Sequence, residues 1–387
     1  RERRAAPRTG VLCADAVHVE ALDLRVAALH AAEWSSLAAR AAEPNPFFEP
    51  EFLLPAASCL QKRRQPAILV ARRRIEGRMR IIGLLPLAAL GQRLCFGPAR
   101  AWRTPLMPLG APLLDRDFAE SAIAAFATWL KAFRTGSTGL LVHGIPTSGF
   151  TARAMRGVAA RLRLRYREFE IGERAALIAG ADPATQVSPA KRKQLARLRR
   201  RLSEKGTLAF RMETGEAADA SIERFLDVEA SGWKGERGTA LKSDPVSTDI
   251  ARAFLRRLAH QGRCYIAMLE LDGAPIAASA VVTSGGRALY WKTGYDERYA
   301  AYSPGVQLSL ELTKALLTER SIVFTDSGAQ PGNRMIESLW RDRLRVADIM
   351  VGAPGFQFSV AARAEQLRRT IRSGAKAIYG LVGKTRR

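Results

Sequence analysis

With 387 residues, 47% of them hydrophobic, the chain is long enough for two domains with sizeable cores, and its net charge of +24 implies an anionic partner, a membrane surface or the arginine-rich background of a GC-rich genome. Cys13, Cys59, Cys95 and Cys264 show no paired spacing and His18, His30, His143 and His260 are dispersed, which argues against a metal site, a disulfide framework or a His-centred nucleophile and fits a cytoplasmic protein. The longest apolar stretch, "IIGLLPLAAL" at 81–90, is too short to span a bilayer, and no apolar run follows the basic opening "RERRAAPRTG", so neither a membrane span nor a secretory leader is expected.

Hydrophobic period and turn residues predict a strand over about 11–19, an alanine-rich helix over 22–41 and a short helix over 50–60. Strand-like runs follow at "PAILVARR", "MRIIGLLPLAAL" and "RLCFGP". The Pro/Gly-rich "TPLMPLGAPLL" leads into a helix over about 117–134, the strand "GLLVHGI", a helix near 149–163 and a strand pair around 166–179. A basic helix at 188–205 then carries Lys191, Arg192, Lys193, Arg197, Arg199, Arg200, Arg201 and Lys205. Leu195, Leu198 and Leu202 line one side of it, so that side packs and the rest faces solvent or an anionic ligand. No RNA- or DNA-binding signature accompanies it.

The second part reads strand 207–214, helix 219–232, helix 248–260, then the strands "CYIAMLEL", "PIAASAVVT" and "RALYWKTGY". Helix 304–319, strand "IVFTDS", helix 333–342, strand "RVADIMV" and a closing helix over about 357–380 complete it. Both parts share the order β, α, α, β, β, β, α, β, α, β, offset by roughly 180–200 residues, a period of duplicated domains rather than of a solenoid. The expected boundaries are 1–183, 184–206 for the basic connector, 207–355, and 356–387 for the last helix.

"DERYAAYSPGVQLSLELTKAL" at 296–316 holds the most suggestive local signal. Ser303 is a good N-cap, Pro304 suits the first helical position, and Gly305 leaves bare backbone where a ligand can approach. Amides of a helix N-terminus attract phosphate, so Ser303, Gly305, Val306 and Gln307 are candidates for an anion cradle. The alternative is that Ser-Pro-Gly simply starts a helix.

The element order, together with "PNPFFEPEFLLPAA", "SPAKRKQLARLRRRL", "FLDVEASGWKGERGTAL", "GYDERYAAYSPGVQL" and "FTDSGAQPGN", resembles the GNAT acyltransferase fold in a FemAB-like tandem. More narrowly it resembles the acetyltransferases of cellulose biosynthesis, the CelD/BcsL type with a BioF2-like domain. The likeness is strongest over 185–350. The usual Arg/Gln-x-x-Gly-x-Gly/Ala loop is reduced here to Gly305 and Gln307. The resemblance implies an α/β (α+β) protein of two tandem GNAT-like domains, each a central mixed sheet flanked by helices. The donor site would lie in the second domain.

It further implies an acetyl-CoA or other acyl-CoA co-substrate, no metal, and a saccharide or amine acceptor, with exopolysaccharide synthesis as one setting. The alternatives are a FemAB-like transferase fed by aminoacyl-tRNA, which the charge favours, and a non-catalytic basic scaffold. Direct attack on a thioester needs a base, amides to polarise the carbonyl and an acid for the thiolate. Tyr290, Tyr295, Tyr299 and Tyr302 are candidate acids, and Glu229 and Asp326 candidate bases. Lys292, two residues beyond Tyr290, is expected on the same strand face as a cofactor contact. Trp233 and Lys234 form a turn suited to the substrate.

Overall fold

The computed structural model describes residues 16–60, 65–88, 97–132 and 138–382. The first part contains β1 (His18–Asp23), α1 (Leu24–Ala28), α2 (Ala31–Ala39), α3 (Pro50–Cys59), β2 (Ala67–Ile75) and β3 (Arg78–Leu87). It continues with β4 (Ala99–Arg100), β5 (Leu113–Leu114), α4 (Ala119–Ala132), β6 (Leu140–Pro146), α5 (Phe150–Arg161) and β7 (Arg165–Ile178). α6 (Pro183–Gln186) and α7 (Pro189–Ser203) connect it to the second part. That part opens with β8 (Leu208–Glu213), α8 (Ala218–Ala230), α9 (Trp233–Glu236), α10 (Pro245–His260), β9 (Cys264–Leu271), β10 (Ala274–Ser284) and β11 (Arg287–Tyr295). α11 (Pro304–Thr318), β12 (Phe324–Asp326), α12 (Arg334–Glu337), β13 (Asp342–Gly352) and α13 (Phe356–Val382) follow.

The protein is mixed α/β, with helices on sheets. Its sheets, however, are not divided one to each part. A four-stranded sheet runs β1-β2-β3-β5, and a nine-stranded sheet runs β4-β6-β13-β7-β12-β11-β10-β9-β8. The two parts exchange their last strands. β13 inserts between β6 and β7 of the first part, antiparallel to both, while β7 pairs antiparallel with β12 of the second. The nearly continuous apolar run of β13 from Val346 to Gly352, interrupted only by Asp348, explains why it can be swallowed: all seven residues are buried, as a strand with covered faces requires.

The second half of the long sheet is covered on both faces. Phe225 of α8 and Phe254 of α10 pack with Ala278, Val282, Leu289 and Trp291 on one face. Leu308 and Leu312 of α11, with Leu195 and Leu202 of α7, pack with Ala277, Val281 and Tyr290 on the other. The leucine stripe of the basic helix therefore docks as its spacing predicts. Asp244 accepts from the Ser247 amide (3.0 Å) and Pro245 takes the first position, which explains the clean start of α10. Trp291 joins the two parts: its ring lies 6.2 Å from that of Phe47, and its indole donates to the carbonyl of Leu106 (2.8 Å).

Several expectations shift. The helix expected at 22–41 breaks into α1 and α2 around Leu29 and His30. The strand pair at 166–179 is one long strand, and the helix at 333–342 is a single turn, because Asp342 already begins β13. The first strand starts at His18; residues 11–15 of the expected strand, 93–96 of "RLCFGP", Cys13 and Cys95 lie outside the described residues. No helix among the described residues is long and apolar enough to cross a membrane.

Candidate active site

β11 outruns its parallel neighbour. The ladder to β12 ends at the pair Leu289–Asp326, and from Tyr290 to Tyr295 the strand has no partner on that side. A second irregularity falls at the same point. The register with β10 steps from Val281–Tyr290 to Ala280–Lys292, leaving Trp291 as an extra residue. This bulge breaks the expected alternation. Ala288 and Tyr290 face the core beneath α11, whereas Leu289 and Trp291 face the opposite core. Lys292 pairs with Ala280, which also belongs to that opposite core, so Lys292 and Tyr290 do not share a face.

A cleft lies on each side of the splayed segment. One, of about 510 Å³, is lined by Lys234, Thr293, Tyr295, the start of α11 at Ser303–Val306, and Asn333 and Met335. The other, of about 610 Å³, lies between the two parts and is lined by Trp291, Lys292, Gly328–Pro331, Arg103 and Arg174, among others.

In the first cleft the helix start differs from the expected cap. Ser303 adopts a left-handed conformation (φ 53°) and its hydroxyl makes no capping bond. Its carbonyl instead accepts from the amides of Val306 and Gln307, both at 3.0 Å. Those two donors are spent, and Pro304 has none, so the Gly305 amide is the open donor of the first turn. The Gln307 side chain is buried and donates to the carbonyl of Leu195 (2.8 Å), which ties α11 to α7 rather than facing the cleft. Gly305 packs closely: a Cβ there would meet Tyr295 Cδ1 at 3.3 Å.

Tyr290 is in the core. Its hydroxyl lies 3.1 Å from Ser279 Oγ and 2.9 Å from Ser309 Oγ, and its ring packs 5.8 Å from that of Trp340. Ser279 donates to Thr293 Oγ1 (2.9 Å), and Ser309 donates to the Gly305 carbonyl (2.8 Å). The phenol is thus the middle link of a hydroxyl chain joining two walls of the cleft. Glu229 is fully buried, accepting from the Leu241 amide (2.7 Å) and Lys234 Nζ (3.2 Å). Lys234 also donates to the Thr293 carbonyl (2.6 Å). Gly294 permits this approach, since a Cβ on it would come 2.5 Å from Glu229 Cα. Asp326 is buried, ion-paired with Arg174 and accepting from the Gly328 amide (2.9 Å). Both carboxylates are occupied by partners that hold the fold. Tyr302 stacks under Arg201 (5.8 Å) and Tyr299 is half-buried beside it in the core beneath α11. Trp233 begins α9; its side chain lies outside the described residues.

Lys292 is different. It has no ion pair or hydrogen bond to a described residue and lines the inter-part cleft. Burial pushes its pKa below the usual lysine value, helped by the nearby positive charge of Lys234 and opposed by Glu229. Asn333, Met335, Arg174 and Trp291 also line these clefts. Asn333 ends "FTDSGAQPGN", a stretch already conspicuous in the sequence; Arg174 sits in an unremarkable strand and carries no local signal. No three His, Cys, Asp or Glu side chains gather as a metal site among the described residues.

The model of the acetyltransferase (GNAT) domain family matches residues 189–326, the stretch that holds α7, the splay and the start of α11. The fold is similar to the crystal structure of FemX, with a TM-score of 0.59 at 9% identity, covering 87% of this chain and 98% of that one. It is also similar to the C-terminal domain of a putative lysylphosphatidylglycerol synthetase from Agrobacterium fabrum (TM-score 0.53, 11% identity, 88% and 96% covered). A conserved protein of unknown function from Bacteroides thetaiotaomicron gives 0.53 at 12% identity, over 87% of this chain and all of that one. No curated protein sequence matches the chain. The second part is therefore similar, over 189–326, to the acetyltransferase (GNAT) domain family, and the chain shares the fold of these structures.

Proposed function

We propose that the protein is an acyltransferase moving an acyl group from acyl-CoA to an amine or hydroxyl. The observation that carries this reading is the splay of β11 from β12, with one cleft beside the start of α11 and another beside Lys292. The unpaired Gly305 amide and the positive end of α11 suit a phosphate. The bound thioester supplies an activated carbonyl and a thiolate leaving group. The unpaired backbone of β11 beyond Leu289 is the polarising element for that carbonyl.

In this reading Lys292 takes the proton from the attacking acceptor, because an amine with a lowered pKa is neutral, and so basic, over a wider pH range. Tyr295, the phenol that lines the donor cleft, is the proton source for the thiolate. Tyr290 is a positioning residue acting through the hydroxyl chain. The narrower resemblance to the cellulose-biosynthesis type makes a saccharide acceptor the first class to try. We propose the divisions at 183, 206 and 355 as the functional units, the first serving the acceptor side. A screen with acetyl-CoA and amine or sugar acceptors, read as release of the free thiol, tests the proposal. Thiol release that depends on acceptor supports it; none across acceptors, with acetyl-CoA unbound, refutes it.

One observation favours a second donor, aminoacyl-tRNA. α7 packs behind the donor cleft, with Arg201 on Tyr302, Gln307 on Leu195 and Lys191 on Ser338 (2.5 Å). Its exposed Arg192, Lys193, Arg197 and Arg200 make a basic surface on that helix. Binding of tRNA that weakens on replacing these four by glutamine, with no acetyl-CoA binding, would select this donor.

A further inference from the structure

The cleft between the two parts collects more positive charge than its acids neutralise. Arg103, Arg174, Lys292, Arg369 and Arg372 line it, against Glu170 and Asp348. Arg369 pairs with both acids, at 3.1 Å and 2.8 Å. Arg174 pairs with Asp326, yet its Nε is buried without a hydrogen-bond partner. Arg103 and Arg372 are exposed, and neither they nor Lys292 has an acidic partner among the described residues.

We infer that this cleft binds a phosphate-bearing acceptor, held between Arg103 on the β4–β5 connection and Arg372 on α13. A single carboxylate is satisfied by one arginine fork, whereas a tetrahedral phosphate accepts from donors arriving from separate directions. The volume of about 610 Å³ leaves room for more than the phosphate. The phosphate would anchor the acceptor while its nucleophile reaches Lys292 at the splay, on the wall of the same cleft. The inference deepens the acyl-transfer reading by naming the acceptor's class. The anchoring itself is a binding property that can be measured without any turnover.

The same chemistry arises in a soluble phosphate ester or a lipid headgroup. The lipid source has a structural argument: α13, the helix that carries Arg372, docks through Phe358, Ala361 and Ala362, while Phe356, Val360, Leu367 and Ile371 form an exposed apolar stripe on its other side. Titration calorimetry with glycerol 3-phosphate and with glycerol forms the soluble arm. Flotation with vesicles of phosphatidylcholine, with and without phosphatidylglycerol, forms the lipid arm. In at least one arm the probe whose phosphate carries net negative charge (glycerol 3-phosphate, or vesicles with phosphatidylglycerol) should bind tenfold tighter than its neutral or zwitterionic control. Arg103→Gln with Arg372→Gln should remove that preference. Replacing Arg197 and Arg200, on α7, should not. Acetyl-CoA titration runs alongside, so a protein that binds the ester but not acetyl-CoA keeps the phosphate site and loses the acyl-CoA donor. No preference in either arm, or a preference untouched by the cleft variant, overturns the inference.

Discussion

The two parts of the chain repeat one order of elements but treat the same place differently. In the second part β11 has a bulge and an unpartnered stretch, and a long helix starts beside it with an open glycine amide. In the first part the matching region is a proline-rich connection between two-residue strands, β4 and β5. It presents no helix start to a ligand: Leu106 and Met107 are buried, the Leu106 carbonyl receives Trp291, and the connection instead forms a wall of the cleft between the two parts. Gly305 has a cleft before it, whereas a Cβ on Gly110 would meet the His143 carbonyl at 2.7 Å. The same position in the element order thus opens onto a helix start in the second part and onto the cleft between the parts in the first.

The largest effect expected is chemical and falls in the second part alone. Lys292→Met should lower turnover by about 10³-fold, the scale of a lost general base, with acetyl-CoA affinity unchanged. Lys292→Arg should fail to rescue it, because a guanidinium holds its proton. Since the neutral amine is the active form and burial lowers its pKa, the wild-type rate should climb with pH through a midpoint below 10.5. Steady-state rates across pH check all three, and rescue by arginine would remove Lys292 from the proton step.

A stability effect sharpens the contrast from the other side. Glu365 of α13 is buried and clamps β4 of the first part through Arg100, with Arg368 and Arg369 beside it. Burial raises its carboxyl pKa, but the bonds to Arg100 and Arg368 outweigh this and hold it down to about 2. A depressed acid stabilises the fold above its ordinary value of 4.5, and that contribution is lost as pH falls toward about 2. The contribution is roughly 3 kcal/mol. Glu365→Gln should lower stability at neutral pH and flatten the acid limb, measured by denaturant unfolding at several pH values. An unchanged acid limb would separate the clamp from acid unfolding.

Smaller effects follow. Gly110→Ala should cost about 1–3 kcal/mol of stability, as overpacking does, without touching donor affinity. Thermal unfolding and an acetyl-CoA titration of the same sample check both parts of that statement. Tyr290→Phe should cost about 1 kcal/mol and weaken donor binding slightly, since it removes the middle hydroxyl of the chain from Thr293 to Gly305. A loss of turnover as large as that of Lys292→Met would make the phenol a chemical rather than a positioning group.

Much of this was legible in the sequence. The leucines of α7 and the position of α11 follow from spacing and local chemistry, whereas α10 starts at Pro245, three residues before the expected 248. The strand exchange was not legible, because β7 and β13 read as ordinary closing strands and only tertiary pairing shows which part each completes. The bulge at Trp291 was equally hidden, since no local residue preference marks it, and period two then placed Lys292 on the wrong face. Glu229 and Asp326 look like free acids until Lys234, the Leu241 amide and Arg174 are seen to occupy them.

The central claim is that the open Gly305 amide marks a donor phosphate site. Calorimetric titration of wild type and Gly305→Glu with acetyl-CoA tests it most directly. A carboxylate in a first helical turn is mildly favourable to the helix, while the added Cβ must push Tyr295 back slightly, so the melting temperature should fall only a little. At the phosphate position it should weaken binding by about 100-fold, roughly 2.7 kcal/mol. Equal affinities in the two proteins would contradict the claim and move the donor away from α11.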